Sequence, residues 1–232
     1  MYRTECRAAV CRLHGPETRW LSAGFDGGYA ERRAAYNVTV PDEFGRTDLA
    51  AYAAERREEA GFDVRGPTLL TGVSQAHARG ARLGLVTAVA TVGLSNPADL
   101  PMDPAGGDLP DDGRGKPGTV NVLLGVERSL PDGALASLLA VVAEAKAATL
   151  LDAVGTPGTT SDAVVVGGAL GEPRAQFAGS ATAVGAAARA CVREAIHASF
   201  ESRYDADDPP VSVAAAEHGL ATEARAETFD PR

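Results

Sequence analysis

The sequence predicts an α+β fold: a mixed, largely antiparallel sheet covered by two long helices, with layered sheets as the alternative arrangement. Three observations predict it. Short alternating strands separated by Gly, Pro and Asp turns fill the first forty residues. Two long helical patterns come later, near 130–153 and 180–203. Between them and the early strands lies a nearly continuous apolar run, LGLVTAVATVGL, whose length suits a central strand covered on both faces. Early hairpins with later helices are the order of an α+β domain.

The first strands are expected at 6–13, 18–24 and 34–40, where Val, Leu, Trp and Tyr alternate with polar residues. The turn Gly24-Phe25-Asp26-Gly27-Gly28 holds more glycine than a connection needs, which lets backbone approach a neighbour closely. A bulged hairpin is the plainer reading of the same residues. A helix is expected at 48–60, capped by Thr47 and ended by Gly61, with its ERREE run on a solvated face. Strands are expected near 68–73 and 83–94, then a Pro-, Gly- and Asp-rich loop over 97–117.

The segment from Gly118 carries a strand into the helix at 130–153, with Ser129 as N-cap, Pro131 in the first turn and Gly155 as the stop. At 100° per residue Leu135, Leu138, Leu139, Val142, Leu150 and Ala153 share one face. Lys146 falls on that face, and Glu144 nearly opposite. A second buried strand comes after the turn at 158–162. The last long helix, capped by Ser180, buries Val184, Ala188, Cys191 and Ala195 and turns Arg189, Arg193 and His197 to water. Residues 205–232 read as an acidic tail with one short helix near 212–220. The chain shows no internal repeat.

Composition excludes several functions. A net charge of −9 does not suit nucleic acid or an anionic membrane surface. The two lysines, Lys116 and Lys146, stand against twenty arginines among 22 basic residues. Cys6, Cys11 and Cys191 lack zinc-site spacing and read as reduced thiols of a cytoplasmic protein. No uncharged run is long enough to span a bilayer, and the N-terminus lacks the apolar core of a signal peptide. No P-loop, dinucleotide fingerprint, serine elbow or zinc-helix motif occurs, and the four histidines are scattered.

The remaining signal is polar chemistry in apolar surroundings. Thr119, Asn121, Glu144, Lys146, Thr160 and Asp162 lie on or beside apolar elements, where an unpaired polar group costs roughly 1–3 kcal/mol. Hydrolysis of an acyl bond needs a base and donors for the oxyanion. Asp162 or Glu144 can be the base; Asn121, Lys146 and the amides of the 158–161 turn can be the donors. Thr119, Thr160 or Ser161 is a candidate nucleophile if Lys146 lies beside it.

The motifs that carry these residues resemble the adenosylcobinamide amidohydrolase (CbiZ) family. They are Gly118-Thr119-Val120-Asn121, Glu144-Ala145-Lys146 and Gly158-Thr159-Thr160-Ser161-Asp162. Leu21-Ser22-Ala23 with Gly27-Gly28, Val92-Gly93-Leu94-Ser95-Asn96 and Phe177-Ala178-Gly179-Ser180 add to the resemblance in the same order. It covers roughly residues 15–200, so a single domain over 1–204 is expected. It implies hydrolysis of the amide joining aminopropanol to adenosylcobinamide, giving adenosylcobyric acid for cobalamin synthesis. It implies a corrinoid small-molecule substrate and no cofactor, since cobalt enters only as part of that substrate. The acidic, Lys-poor composition suits a halophilic archaeal cytoplasm. Asp162, Glu144, Lys146 and Asn121 are the expected catalytic residues. Ser22, Gly27, Gly28, Asn96, Gly118, Thr119, Thr160 and Ser161 are expected to bind substrate, with no metal ligands. Two other readings stay open. One is a corrinoid-binding module without turnover. The other is a self-processing acyltransferase or amidohydrolase in which chain cleavage frees Thr119, Thr159 or Thr160. Assembly as a homo-oligomer also stays open.

Overall fold

The computed structural model describes residues 1–109, 119–171, 173–204, 209, 212–213, 216 and 218–231. Gly118, Lys116, the end of the 97–117 loop and residues 214, 215 and 217 of the expected short helix lie outside the described residues.

The main sheet has eight strands and is mixed but mostly antiparallel. It opens with β1 (Arg3–Arg7), paired to β2 (Val10–Ser22), which pairs in turn with β3 (Gly28–Thr39). The expected strands at 6–13 and 18–24 both reach into β2, which runs on through a register shift between His14 and Thr18. β4 (Thr68–Thr71) lies parallel to β3 at one edge. At the other side β10 (Ala163–Ala169) pairs with β2, and β8 (Asn121–Val126) lies parallel to β10. β6 (Val86–Thr91) and β5 (Arg79–Leu83) complete the sheet. The run read as one strand over 83–94 thus turns at Gly84, whose φ of 55° suits glycine, and forms a hairpin. A small second sheet joins β7 (Pro97–Asp99), β9 (Gly158–Thr159) and β11 (Leu220–Ala221). The stretch read as loop from residue 97 therefore begins with a strand, and the end of the expected 212–220 helix is a strand as well.

Period-2 alternation decides which face each side chain takes. Val122, Leu124 and Val126 of β8 and Val164 and Val166 of β10 face two long helices, α2 (Asp132–Val154) and α3 (Ala183–Tyr204). Those helices supply Leu135, Leu138, Val142 and Leu150, and Ala188, Cys191 and Ala195. α2 is long and apolar enough to cross a membrane by length and composition, but here it is a core helix with its leucine stripe on the sheet. On the other face Tyr2, Leu13, Trp20, Leu69, Leu123 and Val165 form a second core. The sheet curls tightly over it. A Cβ at Gly125 would lie 2.8 Å from the Tyr2 ring, and one at Gly167 would collide with Trp20. The shorter helix α1 (Leu49–Glu59) covers Tyr36 and Val38 of β3 with Tyr52, beside Ala60 and Phe62.

Several local expectations are corrected. Cys6 and Cys11 form a disulfide, because the β1–β2 hairpin sets them directly opposite each other. Cys191 is a free, buried thiol, and burial pushes it up. Asp48, not Thr47, precedes α1, and Arg46 binds its carboxylate. Arg57 of the ERREE run is buried rather than solvated. Pro131 takes the N-cap position of α2; the Ser129 amide is used by Pro173 O instead. Thr182, not Ser180, caps α3 by accepting from the Gly185 amide. Gly155 ends α2 as expected, with φ 77°.

Candidate active site

The parallel neighbours β8 and β10 begin side by side, with Ala163 opposite Asn121. β6 ends at Thr91, opposite Asn121, and β2 ends at Ser22, opposite Val165. This end of the sheet therefore collects the segments that lead into β8 and β10 and those that leave β2, β4 and β6.

Asp162 is the node. Its Oδ2 accepts from Lys146 Nζ at 2.5 Å and from the Thr159 amide at 3.1 Å. Its Oδ1 accepts from the Val120 amide at 2.8 Å and from Thr159 Oγ1 at 2.5 Å. Lys146 also donates to Pro157 O at 3.1 Å. The Lys146 and Asp162 side chains are only 11% and 12% exposed, so the two charges compensate each other away from water. Lys146 reaches this point because its turn of α2 lies over the start of β10. Gly158 is what lets the pair close: a Cβ there would collide with both Asp162 Oδ2 and Lys146 Nζ.

Asn121 is fully buried and sits in a polar seam on the curled face. Its Nδ2 donates to Asn37 Oδ1 at 2.8 Å and to Leu70 O at 2.9 Å, while Asn37 Nδ2 donates to Thr91 Oγ1. Asn121 Oδ1 has no hydrogen-bond partner among the described residues. Thr119 donates to Thr71 Oγ1 at 2.7 Å. Asn96 donates to Thr160 Oγ1 at 2.6 Å and Ser161 Oγ at 3.3 Å, and its backbone carbonyl accepts from the Thr160 amide. Thr159 and Thr160 amides are therefore committed to Asp162 and Asn96.

A cavity of about 550 Å³ opens against this node. Thr119, Ser161 and Asp162 form its polar wall, and Phe25, Val40, Phe44, Leu49, Leu69 and Leu70 its apolar one. Its charged lining residues among those described are Asp162 and Arg46, and Arg46 is held by Asp48 and Glu55. Such a mixture of apolar walls and a few fixed polar groups is the usual form of a small-molecule site. Among the described residues no three His, Cys, Asp or Glu side chains group as metal ligands.

The structure thus brings Asp162, Lys146, Thr119, Asn121, Asn96, Thr160 and Ser161 to one end of the sheet. Ser22 lies at the same end, where its hydroxyl accepts from the Gly24 amide and shapes the 23–28 turn. Gly27 packs tightly on that turn, and Gly28 adopts φ 105°. Glu144 is not brought in. It stands on the outer side of α2, largely exposed, 3.8 Å from Arg189 of α3. Sequence reasoning missed Gly158 as a site residue, with Asn37 and the wall from Phe25 to Leu70, and offered Thr159 only as a residue freed by chain cleavage. Asn37 could have been found as the lone amide in the strand run AAYNVT.

The parallel pair of a curled α+β sheet thus begins at a buried Lys–Asp pair beside a large half-apolar cavity, whose carboxylate lining among the described residues is Asp162. The family model described as adenosylcobinamide amidohydrolase matches residues 1–208, and the chain belongs to that family. A protein of Halobacterium salinarum named adenosylcobinamide amidohydrolase is 53% identical over 233 aligned residues, the whole of both chains. A protein of the same name from Methanosarcina mazei is 28% identical over 147 residues, covering 63% of this chain and 67% of that one.

Proposed function

We propose that this chain hydrolyses the amide joining aminopropanol to a propionate arm of the corrin ring in adenosylcobinamide. The products are adenosylcobyric acid and aminopropanol, and the acid re-enters cobalamin synthesis in the cytoplasm. The observation that carries the reading is Asp162, the one carboxylate on the described wall of the cavity, in a chain of this family.

In this reading the Thr159 hydroxyl turns away from Asp162 Oδ1, and the lone pair it frees takes a proton from water as the water oxygen bonds to the amide carbon. The C–N bond then breaks, and the proton passes to the leaving amine. Lys146 and the Thr159 and Val120 amides hold the carboxylate in place, a positioning role. Thr119 and Ser161 line the cavity and contact the substrate's amides. Asn121 supports Asn37 and Leu70 behind the wall and acts through them. Glu144 takes no part.

The test is incubation of the pure protein with adenosylcobinamide, followed by mass spectrometry for adenosylcobyric acid. Asp162→Asn should slow turnover by about 10²–10⁴-fold, and Glu144→Gln should leave it unchanged. Full turnover by Asp162→Asn would remove Asp162 as the base. A ligand-induced corrin spectral shift without product would favour a binding module.

A further inference from the structure

We infer that the hollow between the Gly27-Gly28 turn, α1 and residues 65–68 is a phosphate-binding site that extends the substrate cavity. The source of the phosphate rests on the amidohydrolase reading; the site itself does not.

The hollow holds about 420 Å³. Three arginines line it, Arg32, Arg57 and Arg65, against one acid, Asp26. That is a local excess of positive charge in a chain whose net charge is −9. Arg57 is the telling residue. It leaves the last turn of α1 with its side chain only 10% exposed and still lines the hollow. Glu58, 3.9 Å away, is 74% exposed and keeps its carboxylate in water. A guanidinium buried to this degree is costly unless an anion meets its charge. A tetrahedral oxyanion matches its planar fork in a two-pronged contact. The Gly27-Gly28 turn leaves room on its side: nothing lies within 4 Å of where a Gly28 Cβ would stand.

Position links the hollow to the catalytic cavity. Phe25 forms part of the wall of both, and of a third hollow of about 510 Å³ beside α1. The two hollows are therefore neighbours across Phe25, and a ligand that filled both would place its amide at Asp162 and its phosphate at the arginines. Two sources share this chemistry: a phosphate ester on the aminopropanol hydroxyl of the substrate, and free inorganic phosphate.

The experiment is calorimetric titration with inorganic phosphate, at ionic strength fixed with chloride. It is run on the unmodified chain, on Arg57→Gln and on the double variant Arg32→Gln/Arg65→Gln. The last pair is exposed, so its loss leaves the core intact should Arg57→Gln fail to fold. Phosphate binding that weakens at least tenfold in the variants is expected. No phosphate binding, or binding that the double variant leaves unchanged, overturns the site. KM is then compared for adenosylcobinamide with and without a phosphate ester on its aminopropanol hydroxyl. A lower KM for the ester, lost in the double variant, makes the ester the ligand. Equal KM values with variant-sensitive phosphate binding keep the site and make free phosphate its ligand. Failure to turn over either corrinoid would remove the amidohydrolase reading, while the phosphate titration still decides the site.

Discussion

Asp162 satisfies four donors from three chain segments, so each of its oxygens is spoken for twice. The pair with Lys146 therefore has structural weight as well as a chemical role. Lys146→Met should destabilise the fold by about 3–5 kcal/mol, because it strands a carboxylate away from water. Denaturant unfolding of the variant measures this, and a loss under about 1 kcal/mol would mean that water reaches Asp162. Gly158→Ala tests the same node by steric means. Its Cβ has no room beside Asp162 and Lys146, so a loss of about 1–3 kcal/mol is expected. Turnover should fall with it, and normal turnover in a folded variant would show that the pair need not close for catalysis.

At the scale of elements, Arg19 joins the β2–β3 hairpin to the start of α2. It binds Asp132 through two hydrogen bonds of 2.6 and 2.9 Å and also reaches Glu31. Its hydrogen bonds hold the Asp132 carboxyl below the usual carboxylate range. A depressed folded value gives stability that is present above the unfolded value and lost as pH falls through the folded one. Asp132→Asn should thus be less stable than the unmodified chain at neutral pH, and the two should converge in acid, below about pH 4. Thermal unfolding as a function of pH checks this, and a constant gap across the acid range would sink it. The same contact explains why α2 needs no Ser129 cap: Asp132 lies in its first turn and carries a partner from β2.

At the scale of the whole molecule, cores lie on both faces of one curled sheet, with a further cluster under α1, and the site sits where the curl brings β4 over β8. Trp20 anchors the inner core, with its Nε1 donating to Arg32 O and its ring against Gly167. Trp20→Ala should cost about 3–5 kcal/mol in denaturant unfolding. Turnover at low temperature should fall as well, because the Asn121 to Leu70 and Thr119 to Thr71 bonds depend on the same curl.

Residue type and periodicity by themselves determined much of this protein: the α+β class, the buried stripes of α2 and α3, the Gly155 stop, and the gathering of polar groups around 118–162. They did so because alternation at 2.0 and 3.6 residues is imposed by backbone geometry, and because an amide or charge in an apolar run must find a partner. Lys146 and Asp162 were each legible as site residues for that reason, but their pairing with each other was not. Only the tertiary structure decided the rest. Glu144 has the same local setting as Lys146 in sequence, yet about 200° of helix rotation puts it against Arg189 and water. Cys6 and Cys11 bond because of hairpin register. Asn37 meets Asn121 across 84 positions because the sheet curls. The cavity wall, from Phe25 to Leu70, is assembled from loops far apart in the chain. Such contacts are set by how strands order and twist against each other, and no local pattern encodes that order.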